Sequence, residues 1–162
     1  MAKEMMKSVA LFILLLNLCM YIIVCATAGW ALNKAIEHEI ITGLETPLPN
    51  PYWAVYFPMG NAATGFFIIF ALIAGVVGCA SCLSGLHHLR SWTENGSASA
   101  VSAALTAWGL TLLAMGLAGK EIDLHGRNSR LKTVESFVII LSATQLLYIL
   151  ALTRINTSVS PY

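Results

Sequence analysis

The sequence predicts an all-α membrane protein, a four-transmembrane-helix bundle with a long, aromatic and proline-rich first loop between helices 1 and 2. Three observations carry this expectation. Of 162 residues, 57% are hydrophobic and only 10% are charged, and the mean hydropathy is +0.75. A soluble domain of this length needs far more charge to cover its surface. Four apolar runs, residues 9–32, 62–86, 97–118 and 134–152, are each close to the ~20 residues that cross a bilayer. Little sequence lies between them, so residues 1–162 read as a single four-span domain. The net charge of +1 provides no basic face, and no nucleic-acid partner is expected.

Lys3 and Lys7 precede the first run, and Ala26-Thr27-Ala28 resembles a signal-peptidase site. A cleaved signal peptide is one reading. The run is longer than the ~7–15 residues of a signal-peptide core, so a retained helix is expected. Residues 33–60 then form the longest connection. Its first part, Lys34-Ala35-Ile36-Glu37-His38-Glu39, is polar. Its second part carries Pro47, Pro49, Pro51 and Pro58, which bar a regular helix. Tyr52, Trp53, Tyr56 and Phe57 suit the membrane–water interface, so this part is expected to fold back over the bundle mouth. A platform for a carbohydrate or a partner is the sharper alternative.

The second run opens on an elbow, Pro58-Met59-Gly60-Asn61. Asn61 stands where a side chain can cap the first free N–H groups of a helix. The same N–H groups can instead hold an anion, and the sequence leaves both readings open. Within this run Ala74, Gly78 and Cys82 lie four apart, as do Ala71, Gly75 and Cys79, and Ser81 and Gly85. Such faces let helices approach closely in lipid and could support a homo-oligomer. The third run is rich in Ala and Ser and is expected to be the most enclosed helix. In the fourth, Thr133 is placed as the cap and Glu135 in the first turn, where a carboxylate suits the helix dipole.

Asn17, Thr106, Thr111, Ser142, Thr144 and Gln145 are the polar groups inside the spans, and most are expected to bond between helices. None is charged, which argues against a proton pump or a cation channel with a charged midplane site. All four cysteines, Cys19, Cys25, Cys79 and Cys82, fall in spans, so no loop disulfide framework is expected. Cys79 and Cys82 have redox-pair spacing but lack a second pair, and small packing residues are the plainer reading. No nucleophile–base pair, metal cluster or phosphate loop stands out. The chain is expected to be no enzyme and to use no metal or cofactor.

Four spans place both termini on one side with Lys3, Lys7, Arg90 and Arg154, against Lys34, Lys120, Arg127, Arg130 and Lys132 on the other. This near balance does not orient the chain. The first helix, with two lysines before it and one after, favours cytosolic termini. The sequons at Asn95 and Asn156 would then go unused. On the outer face, Lys120, Arg127, Arg130 and Lys132 could draw an anion. Trp53, Tyr56 and Asn61 are grouped with them as a candidate substrate site, since the aromatics could cover an apolar ring. The plainer reading is a solvated loop with Lys120 and Arg127 paired to Glu121 and Asp123. On the inner face His87, His88 and Arg90 form a cationic helix end with a candidate pH-sensing role. Adjacent histidines point to different faces, so the pair is not expected to hold a metal.

Long strings of this sequence carry a resemblance. They are LNLCMYIIVCATAGWALN (16–33), YFPMGNAATGFFIIFALIAGVVGCAS (56–81), GLHHLRSW (85–92), LLAMGLAGKEI (112–122), GRNSRLKTVE (126–135) and ILSATQLLYIL (140–150). Together they cover most of residues 7–152, and they resemble the plant AWPM-like proteins, a family named for an abscisic-acid-induced wheat plasma-membrane polypeptide. Gly119 departs from the Cys expected in many relatives. The resemblance implies a multi-pass plasma-membrane protein accumulated under abscisic acid, cold, drought or seed maturation, with a link to abscisic acid uptake. It supplies no catalytic residues. Two functions follow: a carrier of abscisic acid, or a non-transporting structural protein that stabilises the membrane during dehydration.

Overall fold

The computed structural model describes residues 2–45, 62–91, 94–122 and 129–157, with side chains for 4–37, 64–90, 98–120, 122 and 129–155. They form α1 (Ala2–Glu45), α2 (Ala62–Ser91), α3 (Glu94–Ile122) and α4 (Ser129–Thr157). All four helices are long and apolar enough to cross a membrane. Each packs on its two chain or ring neighbours, α1 on α2 and α4, and α3 on α2 and α4, which closes an up-down-up-down ring.

The core follows from helical spacing. On α1 the buried stripe is Ala10, Leu14, Asn17, Tyr21, Val24, Ala28 and Ala31, three or four apart. On α3 it is almost all alanine: Ala100, Ala104, Ala107, Thr111, Ala114 and Ala118. The facing stripe of α4 is bulky, with Leu131, Val138, Leu141, Tyr148 and Leu152. Small residues on α2 and α3 let backbones come close, and large ones on α1 and α4 fill what remains.

The glycines of α2 show how closely. A Cβ at Gly75 would lie 2.6 Å from the Cys25 sulfur and 3.4 Å from the Tyr21 carbonyl oxygen. At Gly78 it would meet the Tyr21 ring, and at Gly85 the Tyr148 hydroxyl. The small-residue faces of α2 are therefore used inside the chain. A Cβ at Gly109, Gly116 or Gly119 of α3 would meet nothing within 4 Å, so these three glycines face outward.

Several expectations need correction. The first connection does not begin at Asn33, because α1 continues to Glu45. No proline occurs before Pro47, and Lys34 and Asn33 both reach Glu37, at 3.1 Å and 2.7 Å, which supports the extra turns. Termination just before a proline is the expected stop. The helix also runs unbroken through Ala26-Thr27-Ala28. Thr133 is no cap: α4 starts at Ser129, and the Thr133 hydroxyl donates to the Ser129 carbonyl at 3.3 Å. The most enclosed helix is α2, with 44% of its span buried against 28% for α3. Alanine and serine made α3 look enclosed, but one narrow stripe of them is in the core and the rest faces out.

Candidate functional site

At the end of the bundle away from the termini, α1 finishes and α4 begins. Trp30 sits half-buried on α1, and the Arg130 guanidinium lies over its indole ring, 4.2 Å from the centroid. A cation in the first turns of a helix opposes the dipole, so another interaction must hold it there. The quadrupole of the indole face provides one. Lys120, in the last turn of α3, and Lys132, beside Arg130, are exposed at the same end. Lys34 is matched to Glu37.

Of the residues chosen from sequence, the structure therefore gathers Lys120, Arg130 and Lys132 at one end of the bundle. Arg127, Trp53, Tyr56 and Asn61 lie outside the described residues. Trp30 was missed. An aromatic at the end of a span was a readable signal, since tryptophan collects at the membrane interface, but the loop aromatics drew the attention.

Glu135 is buried in the same part of α4, at 3% exposure. The sequence placed it in the first turn of the fourth span, where a carboxylate suits the helix dipole. With α4 starting four residues before Thr133, Glu135 falls in the second turn, on the stripe of Leu131, Val134 and Val138. The expectation that no carboxylate is buried in the spans is corrected accordingly. At the other end, His87 and Arg90 are exposed while His88 points into the bundle. The inner-face set is thus split between two faces of α2, as adjacent positions on a helix require. Among the described residues no group of three His, Cys, Asp or Glu could hold a metal ion.

Between the two ends the interior is polar at intervals. Asn17 donates to Gln145 at 2.9 Å, and Gln145 reaches the Ala104 carbonyl at 3.5 Å, which ties α1, α4 and α3 together. The Tyr21 and Thr111 hydroxyls are 3.0 Å apart across the ring. Trp108 donates to the Ser142 carbonyl at 3.0 Å, and Ser142 contacts the Met115 sulfur at 3.2 Å. Thr106 and Thr144 instead bond to carbonyls of their own helices. Four of the six polar residues named from sequence thus bridge helices.

The AWPM-19-like family model matches residues 15–155. The chain belongs to that family. Within it, the chain is 48% identical over 138 residues to Membrane protein PM19L of Oryza sativa subsp. japonica, covering 85% of this chain and 72% of the rice protein. No solved structure matches. The matched region begins within the first span, at residue 15, and takes in the other three spans through Ile155.

Proposed function

We propose that this family member is a plasma-membrane protein of the abscisic acid and dehydration response, with cytosolic termini, and that it mediates abscisic acid uptake. The family resemblance motivates the substrate. The observation that carries the reading is Arg130 stacked on Trp30 at the outer end, flanked by Lys120 and Lys132. Abscisic acid is a ring-bearing carboxylic acid. A fixed guanidinium on an indole offers a charge-assisted partner for the carboxylate and an apolar surface for the ring. Labelled abscisic acid uptake into proteoliposomes, with and without a pH gradient, tests it. Saturable uptake above bare lipid is expected. Arg127 and Arg130 neutralised together should lower it in a well-folded protein, and unchanged uptake would remove the site assignment.

One observation favours a non-transporting, structural role instead. Tyr21, Asn17 and Gln145 fill and tie the ring axis, which leaves a single copy little room for a substrate path. Transport would then run between copies of a homo-oligomer. Uptake no faster than bare lipid from folded protein makes membrane stabilisation the better reading.

A further inference from the structure

We propose that Cys25 and Cys79 are a redox site reached from the lipid: two lipid peroxyl radicals take their thiol hydrogens, and the disulfide that forms staples α1 to α2. Both cysteines are free thiols, and they are in side-chain contact although they stand on different helices. The close packing of α2 brings them together. A Cβ at Gly75 would lie 2.6 Å from the Cys25 sulfur and 3.4 Å from the Cys25 backbone nitrogen. The Cys25 thiol thus sits in the notch at Gly75, and Cys79 follows one helical turn later on the same face. A disulfide needs Cα atoms roughly 4.4–6.8 Å apart. Backbones that meet at Gly75 bring α1 and α2 within that reach.

Depth and exposure name the oxidant. Cys25 lies well inside the span Glu4–Glu37, and Cys79 well inside Thr64–Arg90. Both are partly exposed. Their neighbours one turn away, Ile22 at 53% exposure, Val76 at 58% and Leu83 at 56%, meet lipid. Cys82, at 1%, is out of reach of an acyl chain. Peroxide dissolved in water oxidises a thiolate, and an ion is costly to form in hydrocarbon. A peroxyl radical on an acyl chain needs no ion, because it removes a whole hydrogen atom. The first radical takes the hydrogen of one thiol and becomes a lipid hydroperoxide, leaving a thiyl radical. A second does the same at the other thiol, and the two thiyl radicals couple to the S–S bond. Each sulfur loses one electron and each peroxyl radical gains one, so the step balances without a further oxidant.

The test uses the full, reduced chain in liposomes of polyunsaturated phosphatidylcholine with a lipid-soluble azo initiator, read by peptide mass spectrometry without reduction. A Cys25–Cys79 disulfide should accumulate. It should raise the melting temperature by on the order of 10 °C, a shift that a membrane-permeant phosphine reverses. Hydrogen peroxide in the water, over saturated phosphatidylcholine, should form it about tenfold more slowly or less. Cys19→Ala, elsewhere on α1, should leave the yield unchanged. Cys25→Ala and, from the other helix, Cys79→Ala should each lose both the disulfide and the shift. Circular dichroism equal to that of the parent establishes folding for each variant. Thiols at Cys25 and Cys79 that stay free while the lipid is peroxidised overturn the proposal. So does a disulfide between Cys79 and Cys82, or hydrogen peroxide acting as fast as the initiator.

Discussion

The Tyr21 hydroxyl of α1 meets the Thr111 hydroxyl of α3 at 3.0 Å, across the diagonal of the ring. Its ring meanwhile fills the space that Gly78 leaves on α2. One side chain thus fastens three helices. Tyr148 of α4 lies in the corresponding gap at Gly85, but its hydroxyl has no hydrogen-bond partner among the described residues. The two tyrosines should therefore respond oppositely to loss of the hydroxyl. Tyr21→Phe should cost about 1 kcal/mol, the usual worth of a buried hydrogen bond. Tyr148→Phe should be neutral or stabilising, because it removes a buried polar atom without breaking a bond. Unfolding in a denaturing detergent titration reads both. A larger loss for Tyr148→Phe would show that its hydroxyl is engaged.

Gly78→Val should prevent the close approach of α1 and α2. The added carbons would overlap the Tyr21 ring, and overpacking of this kind costs roughly 1–3 kcal/mol or more. Gly116→Ala has open space around it and should be tolerated or slightly stabilising, since alanine is the better helix former. Melting temperature in detergent decides. Equal effects at the two positions would mean that α2 does not pack as described.

Asn17 and Gln145 form a buried pair at 2.9 Å. A double-mutant cycle with Asn17→Leu and Gln145→Leu should give a coupling of about 0.6–1.7 kcal/mol, the range for hydrogen bonds between membrane helices. Strict additivity would place the two side chains apart. The cycle is needed because either single change also leaves the other amide buried without its partner.

Cys25 and Cys79 are in side-chain contact between α1 and α2. An apolar two-electron oxidant such as iodine should join them, each thiol losing a proton and the oxidant taking the electrons. The product should migrate differently on non-reducing gels and should disappear in Cys25→Ala. The spacing of Cys79 and Cys82 also fits a redox pair, although small packing residues are the plainer reading of it. A cross-link that persists without Cys25 but needs Cys82 would restore that pairing.

The four helices were legible because apolar run length measures the bilayer directly. Their ends were less so. Residues 33–45 read as loop because they are polar, yet nothing in them stops a helix and Lys34 with Glu37 supports one. Hydropathy tracks where lipid ends, not where a helix ends. The buried position of Glu135 was hidden by the same error, since its face depends on where α4 begins. Arg130 was named for its charge alone. Its partner Trp30 lies 100 residues away, and a single sequence carries no signal for that pairing.

The length of α1 has a consequence for the end of the bundle away from the termini. A Cβ at Gly29 would lie 4.0 Å from Leu72, one at Gly75 would meet Cys25, and one at Gly78 would meet Tyr21. This antiparallel register sets the first residue of α2, Ala62, level with about residue 38 of α1, so α1 overshoots by roughly 10 Å at 1.5 Å per residue. The last turns of α1 therefore rise past the start of α2. The connection between the two helices is tethered at points of unequal height, and Trp30 with the Arg130 guanidinium over it lies below the taller one.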